Sequence, residues 1–178
     1  MLQWRWEAVT AIGTWALAVG TVLMVWLQLK FMRRSLSADV FARLTEKWDS
    51  TSMRKRRKHL AQALLTKRPE EVESRLVEDV INFFEDLGTM LRNKYLETET
   101  IWHAFSTSIR LYWAGCGEKY VTDMRDRFSD PTFYTEFEFL AKKMDSKEAR
   151  KRRKKLSEVK LSTRAVTVYL NEESRLEE

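Results

Sequence analysis

The sequence contains one cysteine, Cys116, and two histidines, His59 and His103, in 178 residues. A lone cysteine excludes a disulfide within the chain and suits a reducing compartment. The two histidines lie far apart in the sequence, so no group of residues has the ligand spacing of a zinc site. A glycine-rich phosphate loop, a nucleophile elbow and a Cys-x-x-Cys motif are also missing. These absences favour a non-enzymatic protein and predict neither a metal nor a cofactor.

Glycine and proline are scarce as well, with five and two residues, whereas leucine, glutamate, lysine and arginine are abundant. This composition favours a mostly helical chain. We expect an all-α fold, in which an N-terminal transmembrane helix continues into a cytosolic antiparallel bundle of about 4–5 helices. Residues 1–30 would form the anchor, 31–145 the bundle, and 146–178 a basic and then acidic tail that is poorly ordered.

The predicted anchor is the stretch from Ala8 to Leu29, which carries no charged side chain. A helix of this length spans about 33 Å, enough to cross a hydrocarbon core of about 30 Å. Trp4, Trp6 and Trp26 lie near its ends, where indole rings favour the boundary between water and lipid. The alternative is a buried helix of a soluble domain, but the rest of the chain is too polar to enclose it.

Positive charge follows this stretch directly, in Lys30, Arg33 and Arg34, whereas only Arg5 precedes it. The positive-inside rule then places the N-terminus outside and the bulk of the chain in the cytoplasm. A cleavable signal peptide is the alternative, because the string from Ser35 to Ala38 resembles a cleavage site, but the apolar stretch is longer than such signals require.

Small side chains recur at helical spacing along one side of the predicted anchor, at Thr10, Gly13, Ala16 and Gly20. Faces of this kind let two helix backbones approach closely within lipid. We therefore expect the chain to self-associate through this face, although glycine and alanine are also simply common in membrane helices.

Beyond the anchor, apolar residues recur with helical periodicity. Asn93 is the expected left-handed residue of one turn, and alternation over residues 166–170 allows a short strand or docking peptide. The predicted helices cover residues 30–48, 53–67, 70–92, 98–128 and 131–144.

The net charge is +6, and positive charge is densest in one predicted helix, at Arg54, Lys55, Arg56, Arg57 and Lys58. Near the cytoplasmic leaflet this basic run would gain about 1 kcal/mol per residue from anionic lipid. It could equally bind RNA phosphates, or be a solvated helix face. We expect lipid contact, because the anchor confines the run near a membrane surface.

Four carboxylates lie in two adjacent pairs, Glu78 with Asp79 and Glu85 with Asp86. Paired carboxylates can perform acid–base chemistry. Here the spacing places them on or beside the polar face of a helix, so we expect salt bridges to Arg110 or Arg125 instead.

Arg54 and His59 have the R-x4-H spacing, which resembles the motif of the helical HEPN ribonucleases. On an ideal helix the two side chains point about 140° apart. An RNA-binding or RNA-cleaving accessory protein that uses Arg54 and His59 is therefore the alternative function.

Several segments occur in a recognisable order: WLQLKFMRRSL, EKWDS, NFFEDLG, ETETIWHAF, LYW and DPTFYTEFEFL. Over about residues 4–144 the chain resembles a family of small bacterial single-span membrane proteins known only as a domain of unknown function. The resemblance implies an anchor in the inner membrane and a cytosolic helical domain, and it supplies no catalytic residues. More distantly, the architecture resembles the membrane accessory proteins of RNA-targeting type VI-B CRISPR systems, which join one span to a HEPN-like part and form a pore.

The expected function is a non-enzymatic interaction or effector module that self-associates at the bacterial inner membrane, with a role in antiphage defence. Membrane lipid and a second copy of the chain are the expected partners, with a protein partner also allowed. RNA is the partner under the alternative function.

Overall fold

The computed structural model describes the backbone of residues 3–177 and the side chains of residues 14, 15, 17–32, 35–69 and 71–177. This part of the chain is all-helical and contains no strand, which confirms the all-α part of the predicted fold. Short 3-10 turns at Pro69–Glu71 and Leu156–Glu158 and a π-helical segment at Trp113–Gly117 connect the longer elements. The α-helices are α1 (Gln3–Asp49), α2 (Thr51–Thr66), α3 (Ser74–Arg92), α4 (Thr98–Tyr112), α5 (Glu118–Phe128), α6 (Thr135–Arg152) and α7 (Thr163–Glu173).

The chain divides into two compact units, here called the N-terminal unit (Met1–Phe41) and the C-terminal unit (Ala42–Glu178). The expected boundary between an anchor and a bundle at residue 30 stays a prediction. The predicted continuation of helix beyond Lys30 to Trp48 is confirmed, since both residues lie within α1. Neither glycine nor proline interrupts this stretch, so every turn keeps its backbone hydrogen bonds.

Among the described residues, no helix offers a segment that is both long and apolar enough to cross a membrane. Residues 8–13 and Ala16 of the predicted anchor lie outside the described side chains. Every described side chain from Thr14 to Met32 is exposed. The large apolar ones of this stretch are Trp15, Leu17, Val19, Val22, Leu23, Met24, Val25, Trp26, Leu27, Leu29, Phe31 and Met32.

The C-terminal unit has an aromatic core built mainly by α3, α4 and α6. Phe84 is fully buried, and its ring centroid lies 5.1 Å from that of Phe137 and 5.8 Å from that of Tyr112. Trp48, at the end of α1, packs 5.2 Å from Phe84 between centroids. Gly88 lets α3 approach α6 closely, because a Cβ there would overlap the backbone carbonyl of Glu136.

The turn before α2 forms as the sequence predicts. Ser50 is the N-cap residue, and its hydroxyl accepts a hydrogen bond from the backbone N–H of Met53 at 3.3 Å. The helix then ends at Thr66, one residue before the predicted end at Lys67. Its inward face buries Met53, Arg57, Leu60 and Ala61.

The start of α3 differs from the prediction, which placed it at Glu70. Residues Pro69–Glu71 instead form a single 3-10 turn, closed by a 2.9 Å hydrogen bond from Glu71 N–H to the Arg68 carbonyl. Val72 then takes an extended conformation and buries its side chain, so the α-helix begins only at Ser74.

The end of α3 also differs, because Lys94 and not Asn93 is left-handed, with φ of 60°. The Asn93 N–H still donates to the Thr89 carbonyl at 3.0 Å, and Asn93 is the C-cap residue with a negative φ of −80°. Tyr95 N–H reaches back to the Met90 carbonyl at 3.0 Å, which is the pattern of a Schellman motif with its left-handed residue one position later.

The last bundle helix was predicted to begin at Pro131, but α6 begins at Thr135. The Asp130 carboxylate accepts hydrogen bonds from the backbone N–H and the hydroxyl of Thr132, at 2.8 and 2.7 Å. Asp130 therefore stabilises a turn. The backbone of Tyr134 is left-handed, with φ of 53°, directly before α6 begins.

The segment after residue 145 is structured, unlike the poorly ordered tail or short strand that we expected. α6 continues to Arg152, and α7 packs on α2. Val166 and Leu170 are four residues apart, so a helix places both on one face, where they pack with Ala61 and Leu111. The same spacing also fits an alternating strand, which explains the incorrect expectation.

Candidate functional site

The exposed part of α1 presents apolar surface on more than one side. One groove of about 400 Å³ is lined by Trp15, Ala18, Val19, Val22, Leu23 and Trp26. A second, of about 590 Å³, is lined by Leu17, Gly20, Thr21, Met24, Val25 and Gln28. The Thr21 hydroxyl donates to the Leu17 carbonyl at 2.9 Å, so this polar group is satisfied within the helix.

The predicted self-association face lies largely outside the described side chains, since only Gly20 of its four residues is described. A Cβ added at Gly20 would have no neighbouring atom within 4 Å, so the surface there is open. Thr10, Gly13 and Ala16 remain predicted members of the face.

α2 distributes the basic run around its circumference, because consecutive helical residues point about 100° apart. Arg57 turns into the core and is 5% exposed, whereas Arg54 and Lys55 are exposed. Arg56 pairs with Asp79 of α3 at 2.9 Å. The fifth residue, Lys58, is half-buried, so the run does not form one continuous basic surface.

Arg57 is the centre of a buried polar network. Its guanidinium carbon lies 4.1 Å from the centroid of the Trp48 ring, and its Nη1 lies 3.4 Å from Oε1 of Glu173 in α7. The Tyr112 hydroxyl donates to the other carboxylate oxygen of Glu173 at 3.0 Å. Burial, together with the nearby Tyr169 and Glu173, raises the pKa of Tyr112 well above its ordinary value. The network stabilises the docking of α7.

Arg54 and His59 are both exposed on α2, five residues apart on a regular helix. No group of His, Cys, Asp or Glu among the described residues could hold a metal ion. Cys116 is buried in the π-helical segment, and desolvation raises the pKa of its thiol to about 12. A thiol with so high a pKa is a poor nucleophile.

Two of the four carboxylates of α3 form salt bridges, as predicted, but the predicted partners Arg110 and Arg125 are wrong. Arg110 instead pairs with Asp145 at 2.6 Å, and Arg125 pairs with Glu138 at 2.7 Å. The partners of three of the carboxylates are Tyr120 for Glu78, Arg56 for Asp79 and Lys47 for Asp86.

The Glu85 side chain caps the first turn of α6. Its two carboxylate oxygens accept hydrogen bonds from the backbone N–H groups of Glu136 and Phe137, at 3.3 and 2.7 Å. A carboxylate at this position satisfies amides that an α-helix leaves unpaired and interacts favourably with its dipole. Burial nevertheless outweighs these bonds and raises the pKa of Glu85.

A basic groove, which the sequence reasoning missed, lies between α6 and the start of α4. Its volume is about 490 Å³, and its walls are Lys143, Lys147, Arg150 and Lys151 on α6 and Thr98 and Glu99 on α4. Residues from Lys147 onward were assigned to the tail, where positive charge was noted but no fixed geometry was expected. Spacings of four, seven and eight residues could have indicated a common helix face.

Trp102 of α4 packs beside this groove. The Nζ of Lys151 lies 3.7 Å from the centroid of its ring, and the Nζ of Lys147 lies 5.7 Å from it. Lys147 also pairs with Glu99, and the hydrogen bond from Lys147 lowers the pKa of that carboxyl. These contacts fix two of the four basic side chains in place.

Comparison with protein families gives one match, over residues 11–144, to the family described as a domain of unknown function (DUF4760). The chain belongs to the DUF4760 family. No match was found among curated proteins or among solved structures. The predicted resemblance to a domain of unknown function is confirmed, whereas its single-span and CRISPR-associated parts stay predictions.

The DUF4760 match ends at Met144, inside α6. Three of the four basic residues of the groove and the whole of α7 therefore lie beyond the matched residues. Arg57 lies within the DUF4760 region, but its buried carboxylate partner, Glu173, does not. The C-terminal segment thus completes a core that the matched region begins.

Proposed function

We propose that the chain is a non-enzymatic, membrane-anchored interaction module. The observation that carries this proposal is the exposure of every described side chain from Thr14 to Met32, most of them apolar. Burial of apolar surface is worth about 25 cal/mol per Å², so leaving a helix apolar all round in water is unfavourable. Lipid around this segment removes that cost.

Features at the edge of the segment also fit a membrane boundary. Trp26 is exposed, and the Nζ of Lys30 lies 5.2 Å from the centroid of its ring. Indole rings and basic side chains are both favoured where lipid meets water. We therefore place Lys30 and the basic residues after it on the cytoplasmic side, with the N-terminus outside, in a single-pass bacterial inner-membrane protein.

The C-terminal unit is the interaction part of this proposal. Arg54, Lys55 and Arg56 are the exposed members of the basic run, and Arg54 and Lys55, which are not paired with Asp79 as Arg56 is, would contact anionic lipid. Self-association would use the small face of Thr10, Gly13, Ala16 and Gly20, where Gly20 leaves open space for a second backbone. Action on the membrane in antiphage defence is the biological role that we assign to such an assembly.

The proposal is tested by the membrane extraction of the full-length chain. We expect the wild type to stay in the membrane pellet after alkaline carbonate. The double variant Val19→Arg/Leu23→Arg should shift to the supernatant, because each charge in the middle of a span costs about 2.5–3.5 kcal/mol. The control Leu156→Arg/Val168→Arg places the same charges at exposed apolar positions of the C-terminal unit and should stay in the pellet.

A wild-type chain that is soluble without detergent would overturn the anchor, as would equal behaviour of the two double variants. Topology is tested separately, by fusing reporters to the C-terminus. A cytoplasmic reporter should be active there, and activity of a periplasmic reporter alone would reverse the orientation.

The alternative is a HEPN-like RNA-binding or RNA-cleaving role for Arg54 and His59. Their exposure on α2 leaves both accessible to RNA. The test is incubation of the purified full-length chain with single-stranded RNA, beside a His59→Ala variant. Cleavage that His59→Ala abolishes would favour this alternative over the non-enzymatic module.

A further inference from the structure

We propose that the groove between α6 and the start of α4 binds a phosphate group, carried either by a lipid headgroup or by a small soluble phosphate. Four cations and one carboxylate line this groove of about 490 Å³. An excess of three positive charges in one concave surface attracts an anion. The inference concerns the C-terminal unit alone and does not depend on the proposed anchor.

The four basic residues act together because of their spacing. Lys143, Lys147, Arg150 and Lys151 lie at relative positions 0, 4, 7 and 8 of α6, which share one helix face. The basic run of α2 has five cations, one more than the groove, but its residues are consecutive and therefore point in different directions, with Arg57 in the core. The α6 groove is the better anion site because its basic residues share one helix face, and not because of their number.

The first turn of α4 adds donors of another kind. Thr98 and Glu99 line the groove and are the first two residues of this 15-residue helix. The N-cap residue, Glu97, makes no side-chain hydrogen bond to the first-turn amides. Those N–H groups and the positive end of the helix dipole therefore remain available to an anion.

The groove is also partly ordered before a ligand binds. Lys147 is held by Glu99, its side chain is 17% exposed, and Lys151 lies over the Trp102 ring at 3.7 Å. Two of the four long side chains thus have less rotamer freedom to lose when an anion binds. Arg150 can present two parallel N–H donors to phosphate oxygens.

The test is equilibrium dialysis of radiolabelled inorganic phosphate against the full-length chain in nonionic detergent at constant ionic strength. The triple variant Lys143→Gln/Arg150→Gln/Lys151→Gln keeps the Lys147–Glu99 pair and should bind phosphate at least about tenfold more weakly. The control Lys67→Gln/Lys160→Gln/Arg175→Gln removes the same charge from exposed positions elsewhere and should change the affinity by less than about twofold.

Glu99→Gln is a second variant with an effect of opposite sign. It removes the one carboxylate of the groove, and we expect the gain of one net positive charge to outweigh the lost ordering of Lys147, so phosphate should bind about two- to fivefold more tightly. A folding defect would not strengthen binding, so this variant distinguishes lost structure from lost charge. An unchanged or weaker affinity for Glu99→Gln would overturn the proposal.

A competition arm separates the two sources of phosphate. Mixed micelles with phosphatidylglycerol that displace phosphate, when phosphatidylcholine micelles do not, would assign the site to an anionic headgroup. Phosphate binding with no such displacement would assign it to a small soluble ligand. Equal losses in the triple variant and its control would overturn the site, as would binding of single-stranded RNA with no binding of either phosphate source.

Discussion

The two units of the chain place the same kinds of side chain in opposite environments. In the N-terminal unit Leu23 and Trp26 are 56% and 55% exposed, whereas in the C-terminal unit Leu60 and Phe84 are fully buried. Leucine and aromatic content does not separate the two regions, since both are rich in these residues. The arrangement of apolar residues around each helix does.

α3 shows the arrangement that allows burial. Its inward face carries Val80, Phe84, Leu87 and Leu91, whereas Asn82 and Asp86 lie on the outside. Such a stripe matches a neighbouring helix on one side and water on the other. From Thr14 to Met32, α1 has apolar residues on every side, so no single partner within the chain could cover them. The described part of α1 therefore lacks the one-sided arrangement of apolar residues by which α3 packs in the core.

Truncating one aromatic ring in each unit should give the largest difference. Phe84→Ala removes a fully buried ring and should lower the free energy of unfolding by about 3–5 kcal/mol. Trp15→Ala removes a ring that is 73% exposed and should change it by less than about 0.5 kcal/mol. Denaturant unfolding of both full-length variants in the same detergent, followed by circular dichroism, measures this. A large loss for Trp15→Ala would show that the N-terminal unit packs within the chain.

Removing a buried arginine should likewise cost more unfolding free energy than removing an exposed one. Arg57→Ala leaves the carboxylate of Glu173 buried without its cation and should cost about 3–5 kcal/mol. Arg54→Ala, three residues earlier in α2, removes an exposed cation and should cost less than about 0.5 kcal/mol. The same unfolding assay compares them. Similar costs would contradict the division of the basic run into inward and outward members.

The helical fold was predictable because its signals are local. Periodicity gives the bounds of α2 to within two residues and the end of α3 at Arg92, but it joins α4, the π-helical segment and α5 into one predicted helix over 98–128. The starts of α3 and α6 were misplaced because a proline after a polar residue fits both a helix start and a tight turn. The choice depends on burial of Val72 and on the Asp130–Thr132 hydrogen bonds, which the sequence does not display.

The contacts between distant parts of the chain were not predictable in the same way. The Arg57–Glu173 pair joins residues 116 positions apart, and Glu85 reaches amides 51 and 52 positions away. Many other carboxylates have the same local surroundings in the sequence. The acidic composition of the C-terminus indicated a solvated tail, whereas one carboxylate of that segment is the counter-ion of a buried arginine.

Replacing one glycine in each unit by alanine should also change the stability of the two units differently. Gly88→Ala adds a Cβ that would lie 2.7 Å from the carbonyl carbon of Glu136, so α3 and α6 must separate at a cost of about 1–3 kcal/mol. Gly20→Ala meets no atom within 4 Å, and alanine favours the helix by up to about 1 kcal/mol. Opposite signs are therefore expected in thermal unfolding of the chain diluted to a monomer in detergent, whereas the proposed contact of a second copy at Gly20 would turn the gain into a loss in the self-associated chain. A loss for Gly20→Ala would indicate that another backbone lies against this position.

The smallest effect concerns the pH dependence of stability. Burial raises the pKa of Glu85 in the folded chain, so the folded state holds this proton to a higher pH than the unfolded state does. The contribution of Glu85 is therefore largest at low pH, and stability falls as the pH rises from about 4.3, the ordinary pKa of glutamate, through the raised value. Glu85→Gln cannot titrate and should lack this part of the decline.

Unfolding free energies of the wild type, Glu85→Gln and the non-titrating control Asn82→Ala between about pH 4 and 7 test this. Asn82→Ala should keep the wild-type profile, and a Glu85→Gln profile parallel to it would contradict the raised pKa.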